Sequence, residues 1–428
     1  MMNESDVEKT VRDIARRALV ASRKLAAIPT ERKNAALIRI AELLEAPQSQ
    51  PLLMEANERD LQTAASLGIS EAMQDRLRLT PKRIASMAEG ARQVAALPDP
   101  VGQVLESRTH KKGFLIEKVR VPIGVIGIVY ESRPNVTIDC AVLCLKSGNA
   151  TILRGGREAY HSNMALAKII HKGLGETGLP SDVVQLIPTV DRFALNVLLK
   201  LDDCVHCLIP RGGEGLIRFV SENARMPVIK HYKGVCNVYL DAAAERKMAV
   251  QVTVNAKCQR PSVCNAAENL VVHREVLNTI FPDVAKALKD EGIELRVDPA
   301  SAEVLDAFGA IPHVAATEED YHTEYVDKII SIKVVEDLEE AIRFVNTYGS
   351  GHSDAIITAD PEAAARFQTE VDSATVYWNV STRFTDGFEF GLGAEIGIST
   401  DKLHARGPMG LNELTSYKYL IRGHGEVK

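Results

Sequence analysis

Several chemistries are missing from this sequence, and each absence removes a class of function. There is no Gly-x-x-x-x-Gly-Lys-Ser/Thr phosphate loop, and no expected strand-to-helix turn carries Gly-x-Gly-x-x-Gly. Gly391-Leu-Gly393 lacks both the third glycine and a suitable preceding strand. Positive charge is not in excess: 51 Lys and Arg stand against 57 Asp and Glu, a formal net charge of -6. No basic stripe marks a face for nucleic acid. The longest apolar run, around Val121 to Tyr130, is about half the length of a membrane span. The acidic, amphipathic N-terminus has no signal-peptide core. Seven cysteines, an odd number in a long chain, do not form a disulfide framework. No His, Asp and Glu cluster has metal-ligand spacing, no repeat recurs, and no tract is of low complexity. The expectation is a cytoplasmic globular protein with no metal, membrane or nucleic-acid partner.

What is present is length and alternation. At 428 residues, with 46% hydrophobic and 25% charged, the chain can build two or three domains around large cores. The first hundred residues read as helical, with Val7, Val11, Ile14, Ala18 and Leu25 on one face. Thr30 is placed to cap a second helix ending before Pro47. Thr80-Pro81 signals a third, reaching about Ala96. From Val101 to Val121 two extended arms flank Thr109-His-Lys-Lys-Gly113 as a long hairpin. Strands are then expected near 124–130, 150–154, 183–187, 204–209 and 227–230, with helices near 136–147, 161–173, 190–200 and 213–224. A second series has strands near 236–241, 269–273, 293–297, 328–335, 354–358 and 374–378. Apolar runs such as Val125-Ile-Gly-Ile-Val129 suit strands covered on both faces, so two parallel-sheet α/β domains meet near residues 231–245.

Reactive chemistry centres on Asn255 to His273. Cys264 lies three residues after Pro261, between a helix near 243–256 and a strand near 270–273. A thiolate displayed on such a loop suits acyl transfer. The plainer reading is a small buried hydrophobe, and Cys258 nearby is a rival. Cys204-Val-His-Cys207 has redox or metal spacing, but it lies in an apolar run with no second pair and reads as core. Cys140 and Cys144, one helical turn apart, read as packing. Leu153-Arg-Gly-Gly-Arg-Glu158 and Ile209-Pro-Arg-Gly-Gly-Glu214 put glycines and arginines where strands give way to helices. That arrangement allows a phosphate to approach closely. If Gly155, Gly156, Gly212 and Gly213 are not phosphate loops, they are turn glycines.

The segment Gln259-Arg-Pro-Ser-Val-Cys-Asn-Ala266 resembles the active-site segment of the gamma-glutamyl phosphate reductases, in the aldehyde dehydrogenase superfamily. Further matches run in family order. They are Val129-Tyr-Glu-Ser-Arg-Pro-Asn135, Lys146-Ser-Gly-Asn149, Arg154-Gly-Gly-Arg-Glu158, Ile209-Pro-Arg-Gly-Gly213, Tyr348-Gly-Ser-Gly-His-Ser-Asp354, Gly391 to Thr400, and His404 to Leu411. The resemblance implies an aldehyde dehydrogenase-like α/β fold, with two parallel-sheet α/β domains plus a β-hairpin oligomerisation arm. It divides the chain into a nucleotide-binding domain (1–100 and 122–235) and an arm (101–121 with 412–424). A catalytic domain (236–375) and a C-terminal segment returning to the cleft (376–411) complete it.

The same resemblance implies a mechanism. Cys264 attacks L-glutamyl 5-phosphate and expels phosphate; NADPH reduces the thioester to L-glutamate 5-semialdehyde, a step in proline biosynthesis. Arg154, Gly155, Gly156, Arg157, Pro210, Arg211, Gly212 and Gly213 are the candidate cofactor contacts. Arg154 and Arg157 are suited to the extra phosphate of NADPH. Glu324 stands where the superfamily holds the nicotinamide ribose. Asn135 and the Cys264 N–H are candidates for the oxyanion site. Arg133 is a candidate for substrate carboxylate or leaving phosphate, and Arg383 for the carboxylate. Lys230 occupies the place where hydrolytic relatives carry a glutamate base. A homo-oligomer, dimer or tetramer, is expected, with contact to glutamate 5-kinase open. The competing readings are a hydrolytic NAD(P)-dependent aldehyde dehydrogenase and a non-catalytic protein of the same fold.

Overall fold

The structure, a computed structural model, describes residues 3–69, 71–230, 232–309 and 311–428. The chain starts with helix Glu4–Leu25, capped by the Asn3 side chain accepting from the Asp6 N–H. Its expected apolar face is buried, from Val7 to Leu25. Helices Thr30–Glu45, Ser49–Ser66, Glu71–Leu77 and Pro81–Ala96 follow. Thr80 caps the last of these by accepting from the Arg83 N–H, with Pro81 in the first turn. Thr30 departs from expectation. Pro29 holds the cap position, and the Thr30 hydroxyl donates to Asp99 at 2.8 Å, the carboxylate that also pairs with buried Lys33. A long-range partner outcompetes the local cap.

Strand Val125–Tyr130 is buried on both faces. Val125 and Val129 pack with Val7, Val11 and Ile152. Ile126, Ile128 and Tyr130 pack with the helices on the other side. The parallel sheet runs Val184–Leu186, Ala150–Gly155, Val125–Tyr130, Cys207–Arg211. The strand expected at 227–230 reduces to one bridge, Leu208 to Val228. The strand order reverses between Val125–Tyr130 and Cys207–Arg211, so their C-terminal ends border a crevice. The loops bearing Arg133 and Gly212-Gly213 lie there. Cys204 lies in the turn before Cys207 rather than in a strand; both thiols are buried and free. Cys140 and Cys144 are buried in helix Asn135–Lys146.

The second sheet is parallel, in the order Val314–Ala315, Glu294–Val297, Ile329–Val335, Ala267–His273, Cys236–Leu240, Ser353–Ile357, Thr375–Trp378. The two-residue edge strand Val314–Ala315 carries no sequence signal of its own. The last strand runs past residue 375, so the second sheet ends three residues into the segment assigned to the C-terminal return.

The hairpin strands Val104–Thr109 and Leu115–Pro122 pair antiparallel, and Thr415–Arg422 adds to the second from Pro122 to Leu115. Tyr417, Tyr419 and Ile421 stand exposed on it. Before that strand the chain goes back to the first domain. Ala394, Ile396, Met409, Leu411 and Leu414 are buried in its core, and Gly397–Ser399 pairs with Gly407–Met409. Residues 390–411 thus lie across the cleft between the sheets.

Candidate active site

Cys264 sits in the loop between helix Arg246–Cys258 and strand Ala267–His273, at the N-terminal edge of the second sheet. The base of the loop is closed by Lys257 and Glu268, both fully buried and 2.5 Å apart. Burial pushes the Glu268 carboxyl up to about 8 against the pull of Lys257. The middle of the loop is docked on residues 382–385. Thr382 Oγ1 donates to Asn265 O at 2.7 Å, and Asn265 Nδ2 donates to Thr385 O at 2.8 Å. Arg383 Nε donates to Gln259 Oε1 at 2.9 Å, and its Nη1 donates to Asn265 Oδ1. Arg76 reaches over from helix Glu71–Leu77 and donates to Ser262 O at 2.6 Å. On the far side Gly234 lies flat against Cys264: a Cβ there would come within 2.1 Å of the Cys264 carbonyl oxygen. Cys236 Sγ donates to that same oxygen at 3.3 Å. The main chain around the thiol is fixed on every side.

Burial pushes the Cys264 thiol up to about 11; Glu395 adds to the rise, while Arg211 and Arg133 oppose it. Cys258 is also raised to about 11 by burial, so acidity does not separate the two. Their surroundings do, because Cys258 packs on the second core while Cys264 faces charged groups. Arg133 is pushed down to about 10 by burial, then by Arg211 and Arg76. Among the described residues neither the Arg133 nor the Arg211 guanidinium makes an ion pair or a hydrogen bond. Two uncommitted cations in a crevice beside a thiol are the mark of an anion site.

The expected site residues divide accordingly. Cys264, Arg133 and Glu324 meet at the cleft. Arg211 joins them too: it acts on the thiol, and Gly397 lies 3.2 Å from its Nη1, measured from the position a Cβ would take. Its guanidinium thus packs against the returning segment at Gly397 rather than in its own glycine turn. Arg383 holds the loop through Gln259 and Asn265, so its guanidinium is already engaged. Asn135 is exposed at the start of its helix, with Pro134 at the cap position, and its Nδ2 donates to Asp139 Oδ2 at 2.9 Å. No hydrogen bond joins it to Cys264. Asp139 is pushed up to about 6 by burial, with Arg211 pulling the other way, which puts Asn135 on the same wall as Arg211. Lys230 pairs with Asp401 at 3.3 Å, so no carboxylate base stands at that position.

Sequence reasoning missed Arg76, Gly234 and Glu395. Arg76 meets its partner 186 residues away, beyond any local pattern. Glu395 lay within a quoted segment, but nothing local marks it as facing the cysteine.

At the two glycine turns, Arg154 is buried and its Nε lacks a partner. Arg157 is exposed in the turn Arg157–Ala159. A Cβ on Gly155 would strike Asn163 at 2.1 Å, and one on Gly156 would strike Glu158 at 2.1 Å. Glu158 accepts from the Ser132 N–H at 2.6 Å. Glu131 accepts from the Gly213 N–H at 3.0 Å, at the start of helix Glu214–Asn223. Pro210 is buried in its strand. Glu324 is raised chiefly by burial, while the Gly234 N–H and Lys233 draw it back. Among the described residues no three His, Cys, Asp or Glu are grouped to hold a metal ion, and no helix is long and apolar enough to cross a membrane.

Two parallel α/β sheets facing across a cysteine, with a three-stranded arm beyond them, define the aldehyde dehydrogenase architecture. The sequence model of the Aldehyde dehydrogenase family matches residues 2–319 and 312–419. The chain is 57% identical over 425 residues to a gamma-glutamyl phosphate reductase of Opitutus terrae, covering 99% of each. It is 52% identical over 418 residues to that of Carboxydothermus hydrogenoformans, covering 98% of this chain and 99% of the relative. The crystal structure of the Thermotoga maritima gamma-glutamyl phosphate reductase superposes with a TM-score of 0.93 at 44% identity, covering 98% and 99%. The chain belongs to the aldehyde dehydrogenase family and, within it, to the group of the gamma-glutamyl phosphate reductases.

The ion pair under the loop yields a stability prediction. Lys257→Met leaves Glu268 buried without its cation and costs about 3–5 kcal/mol once the carboxyl is ionised. Glu268 already ionises only at about 8 in the folded state, and loss of Lys257 raises it further. The deficit is therefore smallest below that value, where the folded carboxyl is neutral with or without Lys257, and grows as pH rises through it. Denaturant unfolding at pH 6 and pH 10 measures this; an equal deficit at both would contradict a charged pair.

Proposed function

We propose that the chain reduces L-glutamyl 5-phosphate to L-glutamate 5-semialdehyde and releases phosphate, through a thioester on Cys264 and with NADPH as reductant. The reading is carried by Arg133 and Arg211, which are uncommitted and stand beside the thiol. A phosphorylated acyl substrate brings the anion that they lack. The Cys264 sulfur forms a bond to the acyl carbon while the bond from that carbon to the phosphate oxygen breaks. The arginines hold the departing phosphate. Negative charge on the carbonyl oxygen finds the Cys264 N–H, which makes no hydrogen bond among the described residues, and the second proton of the Asn135 amide.

Bound NADPH supplies the hydride that reduces the thioester. The residues that would hold it fit the role: Gly155 and Gly156 keep the turn free of side chains, while Arg154 presents a buried, unpartnered Nε. Arg157 stands free at the rim, and Glu324 is available for a ribose. Collapse of the reduced adduct breaks the carbon–sulfur bond and frees the semialdehyde. With Arg133 and Arg211 on the phosphate and Arg383 engaged, the exposed Arg260, which acts on both Arg133 and Arg383, is left for the substrate carboxylate. The exposed Tyr417, Tyr419 and Ile421 on the arm are suited to joining subunits. Hydrolysis is disfavoured because Lys230, paired with Asp401, cannot act as a base toward water.

Cys264→Ala should abolish turnover and leave NADPH binding intact, whereas Cys258→Ala should stay active. A dead Cys258 variant with an active Cys264 variant reverses the assignment. In the oxidative direction, NADPH formation from glutamate 5-semialdehyde should require phosphate. A rate unchanged without phosphate, with glutamate accumulating, would identify water as the acceptor. Arg157→Ala should raise the KM for NADPH about tenfold or more and leave that for NADH nearly unchanged. An equal loss for both cofactors removes Arg157 from the 2′-phosphate.

A further inference from the structure

The carbonyls on either side of Cys264 are all committed. Ser262 O accepts from Arg76 at 2.6 Å, and Val263 O accepts from the Ala266 N–H at 3.0 Å. Cys264 O accepts from Cys236 Sγ at 3.3 Å, and Asn265 O accepts from Thr382 Oγ1 at 2.7 Å. Among the described residues the N–H groups of Ser262, Val263, Cys264 and Asn265 make no hydrogen bond. The loop thus ties back its acceptors and keeps its donors for an incoming group, as an oxyanion site requires. Of the four anchors, the one on Cys264 itself is the weakest donor, a thiol.

Cys236 opens strand Cys236–Leu240 and is fully buried. Its Sγ lies 3.7 Å from His352 Nδ1, and that nitrogen is 2.8 Å from Ser353 Oγ. The Ser353 hydroxyl is 2.7 Å from the hydroxyls of both Thr375 and Thr385, and the Tyr377 hydroxyl meets Thr385 at 2.8 Å. Thr385 in turn takes the Asn265 amide on its main-chain oxygen. One chain of polar groups therefore reaches the Cys264–Asn265 peptide from both sides. A single S–H proton serves one acceptor at a time, and Cys264 O is the nearer. Burial holds the Cys236 thiol up, so the proton stays on the sulfur.

The bond from Cys236 controls rotation of the Cys264–Asn265 peptide. Gly234 gives the oxygen room on that side, since a Cβ there would come 2.1 Å from it. Released from Cys236, the carbonyl is free to turn its negative end toward the thiol, against the charge that grows on the substrate oxygen. We infer that Cys236 is a positioning residue for acyl transfer: its thiol pins the Cys264 carbonyl back and so leaves the loop's N–H groups to the developing oxyanion. The inference deepens the reductase reading and rests on it only for the turnover measurement below.

Two reagents that attack through the same Cys264 thiolate separate this role from a general loosening of the loop. p-Nitrophenyl acetate acylates the sulfur through a tetrahedral oxyanion and releases p-nitrophenolate. Iodoacetamide alkylates it at a saturated carbon, with loss of iodide and no oxyanion. Both reactions are followed at one pH by mass spectrometry of the fragment that contains Cys264. The ratio of the two rates cancels thiolate fraction and access. In Cys236→Ala the ratio should fall about tenfold, less than the loss of an oxyanion donor itself costs, with alkylation little changed. Cys236→Ser keeps a donor on the same side-chain rotor and should hold the wild-type ratio. Phosphate-dependent NADP reduction by glutamate 5-semialdehyde should follow, with kcat about tenfold lower in Cys236→Ala and KM values little changed. A parallel change of both rates in Cys236→Ala, a ratio as low in Cys236→Ser as in Cys236→Ala, or wild-type turnover in Cys236→Ala overturns the inference. If the wild type lacks phosphate-dependent turnover, the reductase reading fails, and the acylation-to-alkylation ratio still decides the role of Cys236.

Discussion

The loop that presents Cys264 depends on one buried contact. Lys257 and Glu268, eleven residues apart, meet with no exposure at all and fix both ends of the segment that presents Cys264. Desolvating two charges is expensive, and a hydrophobic pair of the same size would often be at least as stable. The pair instead specifies register. If the helix or the strand slips by a residue, a charge is left alone in the core. The second carboxylate oxygen of Glu268 accepts from the Val326 N–H at 3.3 Å, so the same group ties the Cys264 loop to the turn that carries Glu324. Cys264 and Glu324 are thus referred to a common point.

Around that fixed loop the electrostatics are mixed. Arg133 and Arg211 lower the cost of a thiolate, while burial and Glu395 raise it, and the balance keeps the resting sulfur protonated. A thiol in that state is protected from alkylation and oxidation, which act on the thiolate. The two arginines, without partners among the described residues, suit an anionic acyl phosphate better than a neutral aldehyde, for which they serve no purpose.

Much of this was legible in the sequence because it rests on local pattern. Val125-Ile-Gly-Ile-Val129 could only be a two-faced strand, and the burial of Val125 and Val129 on one side with Ile126 and Ile128 on the other follows from period two. Thr80-Pro81 carried its own capping signal. The arms around Thr109-His-Lys-Lys-Gly113 were readable from their extended pattern on either side of a turn, and the C-terminal part of the arm only through the family resemblance. Thr30 failed as a cap because Asp99, 69 residues away, made the better partner, and local propensity cannot see that competition. Arg383 was a candidate for the substrate carboxylate, and its sequence gives no sign that it clamps Gln259 and Asn265 instead. Arg211 followed the same logic in reverse: its place after a strand suggested a phosphate turn, and only the three-dimensional return of Gly397 turned it toward the thiol.

The site also concentrates unfavourable backbone. Ser132, Val326 and Asn379 have φ of 46°, 56° and 59°, the left-handed region that L-residues avoid and β-branched valine most of all. Each is locked from outside: Ser132 by Glu158, Val326 by Glu268, Asn379 by side-chain bonds to both backbone groups of Thr358. Ser132 immediately precedes Arg133, Val326 follows Glu324 by two residues, and Asn379 lies four residues before Arg383. Strain of this kind persists only where surrounding contacts over-determine the conformation. Here the contacts that impose it are the ones that join separate segments. The geometry at Cys264 is thus set by partners far apart in sequence, and it forms only after both sheets and the returning segment have docked.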